Sequence, residues 1–273
     1  MSRPVFDTLV LPTHDGWDSL DGLQYLFSGL TDRAARVPDP EAWIREMDAA
    51  GIHTGQMCIF SDDDREWVDM MCQTYPDRFV PTMVVQASGG MPELRRMQEY
   101  VENVGVRSIR LGPWREQKPP THRNYWPFYA KACELDVPVM INVGIPGPQV
   151  PAWVQDPIYV DEVCFEFPEL RVIMTHVGFP WTGTVIRNLE RWTNCHLALN
   201  SYSPDKWPDD IVNYLRRTKA RKAMYGTEFP LMAWDRTLRQ IDALDFDAET
   251  LDNLLFRNAH RVLGMTNLPE VLS

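Results

Sequence analysis

No run in this sequence is apolar for long enough to cross a membrane; the longest fall well short of the roughly 20 residues a spanning helix needs. The opening residues, Met1-Ser2-Arg3-Pro4-Val5-Phe6, lack the apolar centre of a signal peptide, so the expectation is a cytoplasmic protein without a membrane partner. Cys-x-x-Cys spacing is missing too. The cysteines, Cys58, Cys72, Cys133, Cys164 and Cys195, are scattered and odd in number, which argues against a disulfide framework or a cysteine zinc site. No Lys/Arg cluster offsets the net charge of −11, and that balance excludes a nucleic-acid backbone as partner. It leaves room for a small anionic substrate, because the local field of a pocket outweighs distant surface charge. A glycine-rich phosphate turn is absent after the first apolar run, where Leu11-Pro12-Thr13-His14-Asp15-Gly16 stands. An open doubly wound sheet would want one there.

What is present is a rhythm. The chain has 273 residues, 44% hydrophobic and 24% charged, enough to bury a sizeable core. Short apolar runs at about 6–11, 54–60, 79–85, 106–111, 138–143, 172–176, 196–201 and 223–226 read as strands, and helical patterns separate them. The first of those patterns shows the logic: Asp39 caps, Pro40 opens, and Glu41 sits in the first turn. Trp43, Ile44, Met47 and Ala50 then fall at helical spacing, and Gly51 ends the helix. Helical stretches at 237–243 and 248–263 close the chain. Eight strands with intervening helices predict an α/β fold, a single (β/α)8 TIM barrel spanning 1–273, with a long first βα loop at about 12–38. That loop suits a lid or a subunit contact equally, and a homo-oligomer is the expectation.

Barrels of this kind carry their reactive groups at the C-terminal ends of the strands. Leu9, Leu11, Arg110, Asn142, His176, Ser201 and Glu228 should therefore ring one mouth, with Trp114, Trp126 and Trp181 on its rim. His176 can exchange a proton near neutral pH, and Glu228 can fix its tautomer or take a proton from water. Arg110 can grip a substrate carboxylate, and Asn142 can hold a carbonyl or an oxyanion. Each also has a structural reading, as a hydrogen-bonded core or loop-holding residue. Ser201 and Cys58 lack a visible base, so a nucleophilic role is not expected. His53, His122, His196 and His260 read as helix-edge or surface residues.

Four stretches carry a family resemblance: Asp7-Thr8-Leu9-Val10-Leu11-Pro12, Met174-Thr175-His176-Val177-Gly178, Gly226-Thr227-Glu228-Phe229-Pro230 and Asn258-Ala259-His260-Arg261. In order and spacing the chain resembles the amidohydrolase-related family, whose catalytic barrels hold one divalent metal. The resemblance puts Leu9 and Leu11 where the family has paired histidines, and Asn142 where it has a third; His176 remains, and Glu228 replaces an aspartate. A catalytic zinc takes about three protein ligands, and two are left. His14 and Asp15 follow the displaced motif and are candidates to substitute in it, His14 as a substrate contact. The expectation is no metal and no cofactor, and a metal-independent hydrolase that opens a lactone or ester-like bond in a small carboxylated, cyclic or aromatic substrate. The alternatives are a lyase that decarboxylates or dehydrates an aromatic or polyketide-like acid, and a non-catalytic barrel kept for binding.

Overall fold

Strands that are apolar on both faces belong in a parallel sheet packed between a filled interior and a coat of helices. The computed structural model describes residues 3–13 and 39–265. In it those runs form β1 (Val5–Val10), β2 (Ile52–Ile59), β3 (Phe79–Val84), β4 (Ile109–Leu111), β5 (Val139–Asn142), β6 (Val172–Thr175), β7 (Cys195–Leu199) and β8 (Ala223–Tyr225). They lie side by side in chain order, and every neighbouring pair is parallel. The ring closes less regularly between its ends: the Leu11 amide donates to the Phe229 carbonyl, and the Glu228 amide to the Leu9 carbonyl, both at 2.8 Å. The architecture is the expected (β/α)8 barrel. β4 begins later than its apolar run because the Val106 amide turns back to the Tyr100 carbonyl.

The helical coat comprises α1 (Pro40–Ala50), α2 (Asp62–Thr74), α3 (Gly90–Glu99), the short α4 (Pro113–Glu116), α5 (Trp126–Glu134), α6 (Ile158–Glu166), α7 (Thr182–Arg191), α8 (Asp209–Thr218) and α9 (Trp234–Asp242). Local chemistry starts them, at Asp39 as anticipated. Asp39 accepts from the Ala42 amide at 2.7 Å to cap α1, and Ser61 with Asp64 forms a reciprocal capping box on α2. α10 (Ala248–Asp252) and α11 (Asn258–Val262) join through a π turn at Asn253–Arg257 and seal the barrel floor. There Phe256, Ala259 and Val262 pack on the inward residues Phe6, Val80, Met140, Ile173, Ala198 and Met224.

That floor corrects two expectations. His196 and His260 are 4% and 3% exposed, not surface residues. His196 shares the inward face of β7 with Ala198 two residues on, and burial, with Arg261, Lys222 and Arg171 nearby, pushes its imidazole down to about 3. His260 stacks on Phe256 with ring centroids 5.4 Å apart. His53 and His122 are half-buried.

One buried carboxylate gathers several donors across the β1–β8 seam. Asp7 is fully buried and accepts from the Leu9 amide (3.1 Å), the Thr227 amide (3.0 Å), the Thr227 hydroxyl and Trp234 Nε1 (2.7 Å). Burial pushes its carboxyl up to about 6, against the pull of those hydrogen bonds. The long first loop, with His14 and Asp15, falls at residues 14–38, outside the described residues. Among the described residues no helix is long and apolar enough to cross a membrane.

Candidate active site

The strand ends bring four of the anticipated residues together. Arg110, in β4, is 7% exposed; its Nη2 donates to Glu228 Oε1 at 2.7 Å and its Nε to Asn142 Oδ1 at 3.1 Å. Thr175, at the end of β6, donates to the same Asn142 oxygen at 3.0 Å. The second Glu228 oxygen accepts from Ser201 Oγ at 2.5 Å. Both carboxylate oxygens are therefore occupied, one by a cation. Burial alone would raise the Glu228 carboxyl, but Arg110, His176 and the Ser201 hydroxyl outweigh it and hold it below its ordinary value.

His176 follows β6 and makes one hydrogen bond among the described residues, Nδ1 to the Asn200 carbonyl at 3.3 Å. A carbonyl only accepts, so in the neutral ring Nδ1 carries the proton and the Nε2 lone pair is free. Burial, aided by the Arg110 charge and opposed by Glu228, lowers the imidazole below its usual range. Asn200 is held in turn by its Nδ2, which donates to Thr8 Oγ1 at 3.3 Å. Gly226 makes that possible: a Cβ there would lie 2.2 Å from Asn200 Nδ2 and 2.6 Å from Thr8 Oγ1. The glycine of the eighth-strand motif thus admits the side chain that sets the register of the histidine.

Backbone conformation marks the same positions. His176, Ser201 and Glu228 take left-handed φ values of 70°, 59° and 57°. Non-glycine residues rarely occupy that region, at a cost of about 1–2 kcal/mol each, and such strain gathers where side chains must be aimed. Three neighbouring strands use it to turn a polar side chain across the mouth.

The facing wall is apolar. Leu9, Cys58 and Val84 form a buried cluster with Phe60 against it, and Leu11 is 6% exposed. Burial pushes the Cys58 thiol up to about 12, which keeps it protonated. Trp114, on α4, is half-buried beneath the Arg115 guanidinium, and Trp181 is half-buried just before α7. Trp126 is a correction: its Nε1 donates to the Thr121 carbonyl at 3.1 Å and its ring packs edge-on against Phe167 after α6, in the helical coat and not on the rim. Sequence reasoning placed Ser201 at the mouth but missed that it partners Glu228, and it missed Asn200 and Thr175. Their only signal was position, at or just beyond an apolar run.

A divalent metal, which the family implies, finds a poor donor set here. Asn142 Oδ1 already accepts two hydrogen bonds, Glu228 is spent on Arg110 and Ser201, and Leu9 and Leu11 offer no donor atom. Among the described residues no three His, Cys, Asp or Glu side chains converge as metal ligands do. A buried guanidinium beside the histidine and the carboxylate adds repulsion to any dication. These residues do not fit the metal, so no step is assigned to it.

Comparison with known proteins agrees with the barrel. The chain is 21% identical to the decarboxylase orsB of Emericella nidulans over 239 residues, covering 69% of this chain and 70% of that protein. It superposes on an uncharacterised TIM-barrel protein from Bordetella bronchiseptica with a TM-score of 0.80 at 22% identity, over 96% of this chain and 98% of the other. It superposes likewise on 2,6-dihydroxybenzoate decarboxylase from Rhizobium, with a TM-score of 0.71 at 16% identity, over 95% and 99%. The amidohydrolase family model matches residues 30–265, spanning most of the barrel with both site motifs of β6 and β8, and by that match the chain belongs to the amidohydrolase family.

Proposed function

We propose that this protein is a lyase that removes the carboxyl group of a small hydroxylated aromatic acid without a metal. One observation carries the choice of decarboxylation over the hydrolysis that the sequence alone favoured. Glu228 has both oxygens engaged and a carboxyl held below its ordinary range, which makes it a poor base for activating water. The decarboxylases among the similar proteins support the same reading.

Arg110 Nη1 and Asn142 Nδ2 have no hydrogen-bond partner among the described residues and can hold the ring's hydroxyl or carboxylate oxygens. Leu11 and Val84 take the ring face, backed by the fully buried Leu9. The carbon–carbon bond to the carboxylate breaks, its electron pair stays on the ring carbon, and His176 imidazolium delivers a proton there from Nε2. Carbon dioxide leaves, and His176 regains its proton from solvent. An apolar wall favours this step, because localised carboxylate charge is dispersed as the bond breaks.

Opposite pH dependences separate the two chemistries. If His176 acts as an acid, turnover rises as pH falls below about 6.5, the ordinary imidazole value, because the depressed pKa confines the charged form to that side. If it serves hydrolysis as a base, turnover falls over the same range. In deuterated water, 2,6-dihydroxybenzoate is expected to yield resorcinol with one deuteron at the former carboxyl carbon. Hydrolysis of a lactone with uptake of solvent oxygen, and no such exchange, would reverse the assignment.

A second expectation concerns metal. Turnover should be the same after exhaustive chelation and after adding manganese or zinc. Activity lost to the chelator and restored by one of those ions would remove the metal-independent reading.

A further inference from the structure

The polar side of the mouth has no surplus charge deep down: Arg110 is matched by Glu228 at 2.7 Å, and His176 is neutral at ordinary pH. An anionic substrate therefore needs another cation. Arg115 stands beside the β4 end, on α4, and makes no side-chain hydrogen bond or ion pair among the described residues. The acid next to it is committed elsewhere: Glu116 accepts from the Ser88 amide at 3.1 Å and lies 3.6 Å from Lys118 Nζ.

The Arg115 side chain is nevertheless placed. Its Cζ lies 4.6 Å over the Trp114 ring. Gly112 lets both fold back on the strand end, since a Cβ there would meet Arg115 Cδ and Trp114 Nε1 at 3.3 Å each. Burial and the Arg110 charge lower the guanidinium's proton affinity below the ordinary arginine value, and Cys58 and Glu228 oppose them. A guanidinium stacked on an indole loses little further freedom when its fork closes on a carboxylate.

We infer that Arg115, held over the Trp114 ring, is the anion clamp of this site and sets its preference for aromatic acids over their neutral counterparts. The inference rests on the decarboxylase reading. Arg110 orients the bound molecule and balances Glu228, whereas Arg115 supplies the net attraction for the incoming carboxylate.

Binding of 2,6-dihydroxybenzoate and of resorcinol, its uncharged counterpart, can be read by stopped-flow quenching of tryptophan fluorescence before turnover. Arg115→Met should weaken 2,6-dihydroxybenzoate about tenfold or more, the loss of a charge-assisted pair, and leave resorcinol unchanged. Arg115→Lys should fall between. Added salt should weaken the acid in the unsubstituted protein and have little effect in Arg115→Met. Equal affinity of Arg115→Met and the unsubstituted protein for the acid would overturn the clamp and leave the decarboxylase reading standing. Equal loss of both ligands would mark Arg115 as packing for Trp114 and overturn the clamp as well. An unsubstituted protein that binds neither the acid nor related hydroxybenzoates would remove the decarboxylase reading and the clamp with it.

Discussion

Glu228→Gln should cost about 3–5 kcal/mol of folding stability and at least about a hundredfold in turnover. The stability loss follows from what is left behind. Arg110 and Glu228 are 9% and 12% exposed in their side chains and 2.7 Å apart, so removing the carboxylate strands a guanidinium in a poorly solvated mouth. An amide can accept one of its hydrogen bonds but cannot neutralise it. The turnover loss follows from His176, whose proton affinity Glu228 raises against burial and the Arg110 charge. Without that carboxylate the imidazolium becomes scarcer at every pH. Urea denaturation and turnover of the same preparation check both halves. Arg110→Met combined with Glu228→Gln should recover stability relative to Glu228→Gln alone, because the stranded charge is gone. A single variant within about 1 kcal/mol of the parent would mean the pair is solvated and contributes little.

Asp7→Ala is expected to destabilise the barrel by roughly 3–9 kcal/mol without touching the mouth directly. Three fixed donors lose their acceptor at once: the amides of Leu9 and Thr227 and the indole of Trp234. All are buried, and each costs about 1–3 kcal/mol when unsatisfied. The Thr227 hydroxyl can turn to another acceptor and is left out of the sum. Against a typical domain stability of about 5–15 kcal/mol this is a large fraction. The pH dependence has a definite sign. The folded carboxyl titrates near 6, above its unfolded value of 3.8, so the Asp7 contribution is fully present below about 4 and is lost as pH rises toward 6. Denaturation midpoints of the parent and of Asp7→Ala across that window check it; parallel curves would show that Asp7 does not titrate there.

The two predictions divide what the sequence could reveal from what it could not. Strands and helix starts are local events, legible in apolar runs and in caps such as Asp39. The barrel follows from counting them, and strand-end chemistry then places Arg110, Asn142, His176 and Glu228 around one mouth. Pairing is different. Arg110 and Glu228 are 118 residues apart in sequence, and nothing near either predicts the other. Ser201 gave no sign of its bond to Glu228, because a serine after a strand is ordinary. His196 and His260 were misread because polarity was taken for exposure; the strand face shared with Ala198 on β7, and stacking on Phe256, put both at the floor. Arg115 was invisible for the same reason, being one basic residue among many until its ring and its glycine were located.

The helical seal over the strand N-termini gives the barrel the form of a cup, not a pipe. On the decarboxylase reading, reactant, gaseous product and the proton that replaces the one consumed share a single doorway at the opposite end. Departure of the aromatic product, rather than bond breaking, becomes a natural candidate for the slowest step, and side chains that crowd that doorway govern throughput as much as those that perform the chemistry.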